Sequence, residues 1–166
     1  YKMGHKKIAY IHGEEKSEVT KERLATFYRT LEELNVDVPD EYVRTSEYLN
    51  AIKAEKITYE LLSLKNPPTC IIYPDDLSYT GGSNAATEMK LKVPYDISMA
   101  GYDGIKLAQM LTPKLTTVKQ DAYTIGKIAA EELISCIENP KTTLVKRIVV
   151  DGEVIPGETV RNMNES

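Results

Sequence analysis

Cys70-Ile71-Ile72-Tyr73-Pro74-Asp75-Asp76 is a continuous apolar run of strand length that ends in two carboxylates. It follows the helix-stopping Asn66-Pro67-Pro68, and its lack of polar alternation marks a strand covered on both faces. Upstream, Ala54, Ile57, Leu61 and Leu64 share one face of a helix predicted over Ala51–Leu64. Before that, Lys7–His12 is a β-rich run closed by Gly13. Leu24, Phe27, Leu31 and Leu34 then recur at helical spacing until Asn35 and Pro39 stop the pattern. Downstream, a helix is expected over Gly81–Met89 with Ala85, Ala86 and Met89 inward. A strand over Ile97–Tyr102, a short helix over Ile105–Leu111 and an extended Leu115-Thr116-Thr117-Val118 follow. Asp121 is placed to cap a last long helix to about Ile137, its apolar face made by Ile125, Ile128, Ala129 and Leu133. Leu144–Val150 and Val154-Ile155-Pro156 are β-rich, with a turn at Asp151-Gly152. Strands alternating with helices call for an α/β fold. We expect a three-layer α/β/α sandwich, Rossmann-like, on a mainly parallel sheet with right-handed crossovers.

With 166 residues, 42% hydrophobic and 28% charged, the chain is one ordinary globular domain with a core of its own. A net charge of −4 and a sequence pI of about 5.3 leave no clustered basic patch of the kind nucleic-acid binders carry. Cys70 lies in the apolar run and Cys136 on the apolar side of the last helix. Two isolated cysteines without Cys-x-x-Cys spacing favour reduced, buried thiols in a cytosolic protein over a disulfide framework. No apolar run approaches the roughly 18 residues of a membrane span.

In an open α/β sheet, ligands sit outside the carboxyl ends of the strands. Three polar clusters fall there: Glu14 to Arg23, Asp75-Asp76, and Asp103 in Gly101-Tyr102-Asp103-Gly104. Carboxylates and a guanidinium on one rim suit bidentate hydrogen bonding to hydroxyls or an amide-rich ring. Each also has a plainer reading. Arg23 taken alone is a solvated side chain, or pairs with Glu18 or Glu22. Asp76 reads as the cap of the next helix, Asp75 stays open between site and surface, and Asp103 is either a site residue or a turn former. Enzyme chemistry finds little support. Adjacent residues at a strand end point apart, and no third acidic ligand stands at useful spacing for a metal. There is neither a Gly-x-Ser-x-Gly elbow nor a phosphate-binding Gly-x-x-x-x-Gly-Lys-Ser/Thr loop. Glu14 and Glu15 after Gly13 would repel a phosphate. His5 and His12 have no metal-ligand partners nearby, and a mid-strand Cys70 would be too buried to act as a nucleophile. We therefore assign no catalytic residue, no metal site and no cofactor.

Several phrases in a fixed order carry a resemblance: Gly4-His5-Lys6-Lys7-Ile8-Ala9-Tyr10-Ile11, Arg23-Leu24-Ala25-Thr26-Phe27, Asp75-Asp76, Val93-Pro94-Tyr95-Asp96-Ile97-Ser98, Gly101-Tyr102-Asp103 and Pro113-Lys114-Leu115-Thr116-Thr117-Val118-Lys119-Gln120. Together they resemble the effector-binding core of the LacI/GalR family of bacterial transcription regulators over nearly the whole chain. The resemblance implies a periplasmic-binding-protein-like (type I) lobe that senses a small molecule, a sugar or sugar derivative, and does no chemistry on it. It places Arg23, Asp75 and Asp103 on effector-gripping positions, although many relatives carry Asn where Asp75 stands. Homodimer contacts map to Thr80, Ala108 and Leu111.

It further implies that residues 1–120 form the C-terminal lobe of the effector domain. Residues 121–150 would return to an N-terminal lobe, and 151–166 would close the fold with a strand and tail. Operator DNA would be bound only by an N-terminal domain that this chain lacks, so the chain reads as a fragment of a cytoplasmic, DNA-binding regulator with no membrane partner. Two rivals stand beside this reading: an exported sugar-type solute-binding protein, and a small α/β enzyme using Asp75 and Asp76.

Overall fold

The computed structural model describes residues 1–142, 144 and 146–164, and its strands form one mixed sheet. The strands are β1 (Ile8–His12), β2 (Val43–Thr45), β3 (Cys70–Ile72), β4 (Ser98–Asp103), β5 (Thr116–Lys119) and β6 (Glu153–Ile155), in the order β2-β1-β3-β4-β5-β6. The first five pair in parallel, and β6 runs antiparallel to β5. The helices are α1 (Glu18–Glu33), α2 (Ala51–Leu62), α3 (Asp76–Glu88) and α4 (Ala122–Glu138), with single 3-10 turns at Asp40–Tyr42 and Lys106–Gln109. Strand order reverses direction at β1, with β2 on one side and β3 on the other, so the crevice at the carboxyl ends of these strands is the natural ligand position.

Alternation along β1 separates the layers. The Tyr10 ring packs on Phe27 of α1 with centroids 5.0 Å apart, so Ile8, Tyr10 and His12 face α1. Ala9 and Ile11 face the opposite layer and join a core with Ala54, Ile57 and Leu61 of α2 and Ala86 of α3. As the unbroken apolar run predicts, β3 is a central strand. Ile71 is fully buried, Cys70 is buried, and Tyr73 donates into or accepts from Thr58 of α2 across 2.9 Å. Burial pushes the Cys70 thiol up to about 12, which keeps it protonated and inert.

The structure departs from the sequence expectations at several elements. Helix α3 begins at Asp76 rather than Gly81. Ser78, Thr80, Gly81 and Gly82 are weak helix formers, but Asp75 caps the helix and Tyr79 is buried edge-on against Tyr73, with centroids 6.1 Å apart. Tertiary packing overrides propensity here. The expected helix over Ile105–Leu111 is only a 3-10 turn, and the three-residue β2 was too short to read. Leu144–Val150 forms no strand among the described residues, and Val145 lies outside them.

Helix α4 runs where expected, but none of its residues is buried. Ile125 is 42% and Leu133 61% exposed. Cys136, expected on a covered face, is exposed, because among the described residues nothing packs over that side. Ile125, Ile128 and Ala129 line an open groove of about 350 Å³ with Ile148 and Val150, and Glu132 and Lys146 complete its wall. Two contrasting leucines therefore measure where stability resides. Leu61→Ala should cost about 2–5 kcal/mol in urea unfolding of the chain, whereas Leu133→Ala should cost under about 1 kcal/mol. Equal losses would contradict the burial described.

Candidate ligand-binding site

The carboxyl ends of β1, β3 and β4 meet the first turns of α1 and α3. At the end of β3, Asp75 and Asp76 are both 1% exposed. Asp75 is the N-cap of α3: Oδ1 accepts from the Ser78 backbone N–H at 2.7 Å, and Oδ2 accepts from Ser78 Oγ at 2.9 Å and from the Leu49 N–H at 2.9 Å. The expected assignment is thus exchanged, since Asp75 and not Asp76 is the cap. Asp76 opens the helix and points the other way. Its Oδ1 accepts from Thr117 Oγ1 at 2.6 Å and its Oδ2 from the Ile105 N–H at 2.8 Å. Gly101 of β4 makes room for it, because a Cβ there would lie 2.4 Å from Asp76 Oδ1. Burial raises the Asp76 carboxyl above the usual carboxylate range, against the lowering by its hydrogen bonds to Thr117, Ile105 and Gly104.

Asp103 ends β4 half-buried with φ of 114°, outside the small left-handed well open to non-glycine residues. Such a backbone costs about 1–3 kcal/mol and persists only where its surroundings hold it. Gln120 does so: its Nε2 donates to Asp103 Oδ1 at 2.6 Å and its backbone N–H to the Asp103 carbonyl at 3.2 Å. Desolvation raises the Asp103 carboxyl, the Gln120 hydrogen bond lowers it, Asp76 and Asp75 push it up and Arg23 pulls it down.

Arg23 pairs with neither Glu18 nor Glu22. Glu18 is taken by Lys21 and Glu22 by Arg147. Instead the guanidinium lies over the Tyr102 ring, its Cζ 3.6 Å from the centroid, with the Tyr48 centroid at 5.9 Å, and donates through Nη1 to the Pro74 carbonyl at 3.1 Å. Stacking and one anchor bond fix its plane while its other N–H groups remain available. Beside it opens a cavity of about 470 Å³, walled by Tyr10, Phe27, Ile72 and Tyr102, with Arg23 and Glu22 at its polar end. That is the size of a small-molecule site.

Arg23 and Asp103 thus come within electrostatic reach of each other at one edge, although Asp103 is not one of the residues that line this cavity. Asp75 is placed otherwise, behind them, with both oxygens used by the main chain and Ser78. Tyr102, Tyr48 and Gln120 escaped the sequence reading. Tyr102 sits inside the Gly-Tyr-Asp phrase, and period-two alternation along β4 was the available signal for the face it takes. Of the residues mapped to a dimer contact, Thr80 and Leu111 are half-buried, and Thr80 Oγ1 donates to the Leu77 carbonyl at 2.6 Å. Ala108, at 2% exposure, packs in the core, and the exposed apolar residues of that turn are Leu107 and Met110. His5 is buried, with Nδ1 3.0 Å from Thr69 Oγ1 and Nε2 3.0 Å from the Arg161 carbonyl, where it ties the chain's two ends. Among the described residues no group of three or more His, Cys, Asp or Glu is arranged to hold a metal ion.

The profile of the periplasmic binding protein-like domain matches residues 1–160. The chain belongs to that family. Among its relatives, the domain is 31% identical over 160 residues to the HTH-type transcriptional repressor ExuR of Bacillus subtilis, covering 96% of this chain and 47% of the relative. It is 30% identical over 159 residues to the HTH-type transcriptional repressor CytR of Escherichia coli, covering 96% and 46%. A crystal structure of a LacI transcriptional regulator from Bacillus cereus superposes with a TM-score of 0.91 at 30% identity, covering 96% of this chain and 56% of that one. The LacI/GalR resemblance and the fold class read from the sequence therefore hold. The domain spans about half the length of the curated relatives it matches. Those relatives are named as transcriptional repressors, and among the described residues no helix is long and apolar enough to cross a membrane.

A raised folded-state pKa means that the folded chain binds the Asp76 proton more tightly than the unfolded chain does. The stabilisation this gives is complete below the ordinary carboxylate pKa and is lost as pH rises through the folded value. Relative to Asp76→Asn, the wild-type domain should therefore gain stability as pH falls through that window. A pH-independent difference in urea midpoints would contradict the account.

Proposed function

We propose that the chain is the small-molecule-sensing part of a LacI/GalR-type transcription regulator, with Arg23 and Asp103 as the polar contacts of its effector. The reading is carried by one arrangement: an arginine seated over Tyr102 with no carboxylate partner among the described residues, within electrostatic reach of a strained Asp103 that accepts one side-chain hydrogen bond. A guanidinium fork and a carboxylate acceptor suit ring hydroxyls, and the aromatic walls beside Arg23 suit the apolar face of a ring. The effector class is accordingly a sugar or sugar derivative. Asp75 serves this site as frame, because contact with a ligand would cost the cap of α3.

Effector binding would act by its difference in affinity between two arrangements of the intact regulator, and so shift operator affinity. DNA contact belongs to a part of the regulator outside this chain, as the helix-turn-helix names of the relatives suggest. Those names also favour a cytoplasmic regulator over an exported solute-binding protein or an enzyme. Thr80 and Leu111, joined by the exposed Leu107 and Met110 and backed by Ala108, are assigned to a homodimer face.

A thermal-shift panel of monosaccharides, sugar acids and nucleosides should give a class that raises the melting temperature of the protein. Arg23→Ala and Asp103→Ala should each weaken calorimetric affinity for that class by about 1.5–3 kcal/mol, which is roughly tenfold to somewhat over a hundredfold. Unchanged affinity in both variants ends the assignment. For the dimer face, Met110→Glu should lower the mass seen by light scattering, and an unaltered mass would remove that face from the proposal.

A further inference from the structure

Gln120 stands between the end of β5 and Asp121, the N-cap of α4, whose Oδ1 accepts from the Thr124 N–H at 3.0 Å. It bonds Asp103 twice, through the side chain at 2.6 Å and the backbone at 3.2 Å. Asp103 also faces Lys119 in the β4–β5 ladder, and a Cβ on Gly104 would lie 2.6 Å from Lys119 Cα. The turn after β4 and the lead into α4 are therefore packed backbone against backbone. Helix α4 buries none of its residues, so these contacts help to set where its first turn begins.

We propose that Gln120 is the positioning residue of Asp103 and the link by which a change at that carboxylate reaches the start of α4. The proposal rests on the reading that Asp103 touches the effector. The Gln120 amide donates to an ionised oxygen, a charge-assisted bond stronger than a neutral one. A proton on Asp103 removes that acceptor charge, and a ligand donor competes for it, so either weakens the hold on Gln120. With Oδ1 occupied by Gln120, Oδ2 is the oxygen presented to a ligand. The charges facing Asp103 are Asp75, Asp76 and Arg23 across the edge and Lys119 on the neighbouring strand, with Asp121 beyond. Asp103 holds its proton above the ordinary range while Thr124 holds the Asp121 carboxyl below it, so the two titrations separate.

The proton itself is the test ligand. In the chain as it stands, the Asp103 carboxyl carbon and the backbone amides of Gln120 to Thr124 are followed by NMR from below the ordinary carboxylate range to neutral pH. The amides are expected to show a component with the Asp103 midpoint, distinct from the lower one of Asp121. Gln120→Met should remove that component and raise the Asp103 midpoint, since the ionised form loses its donor. Asp103→Asn should remove the component while leaving the Asp121 one, which keeps the test open if the Met variant does not fold. Amides that follow Asp121 alone, or an Asp103 midpoint unmoved in Gln120→Met, would overturn the proposal. No effector is used, so this failure is distinct from unchanged affinity in Asp103→Ala, which would remove the ligand contact instead.

Discussion

At the end of β3 two consecutive carboxylates part in opposite directions. Asp75 reaches back to the loop after β2, at Leu49, and to the first turn of α3. Asp76 reaches forward to the turn after β4, at Ile105, and to Thr117 of β5. One dipeptide on the central strand therefore joins the loops on both sides of the carboxyl edge. Hydrogen bonds to charged groups contribute about 1.5–3 kcal/mol each, and the N-terminus of α3 favours the negative charge placed there. Removing either carboxylate would leave buried main-chain donors without acceptors, which costs more than the bond itself.

The ligand site is built on this staple. Asp76 fixes Ile105, the residue that follows Asp103-Gly104, so the strained turn is held from below by a carboxylate and from the side by Gln120. Arg23 is anchored to the Pro74 carbonyl, immediately before the acidic pair. Both proposed ligand contacts thus depend on the geometry at the end of β3, although neither hydrogen-bonds to Asp75 or Asp76. The same acidic neighbours raise the Asp103 carboxyl while Arg23 opposes them, so the electrostatics of the edge form one coupled system.

Residues 122–138 follow a different logic. Helix α4 has a cap, a regular apolar stripe, an i,i+4 ion pair, Lys127–Glu131, and a second pair from Glu132 to Lys146 beyond the helix, yet it contributes no buried residue. Exposed pairs of this kind contribute under about 1 kcal/mol each. The stability of the chain is concentrated between the sheet and α2 and α3, where Ile57, Leu61, Tyr73 and Tyr79 are enclosed.

The sequence alone determined the layered α/β architecture, the central place of β3 and the ends of most helices, because apolar periodicity and caps are local properties of neighbouring residues. It also pointed to the edge where Asp103 and Arg23 lie, since a residue at the end of a parallel strand and one in the first turns of the helix that follows a strand both fall there. It could not determine which of two adjacent aspartates turns back to cap α3, because Leu49 and Thr117, their distant partners, are chosen by strand order. It could not show Arg23 lying on Tyr102, or Gln120 holding Asp103, as both contacts join segments far apart in the chain. The apolar stripe of α4 carried a clear local signal of a face to be covered, and the tertiary structure left it exposed. Periodicity specifies a face, but only a packed partner buries it.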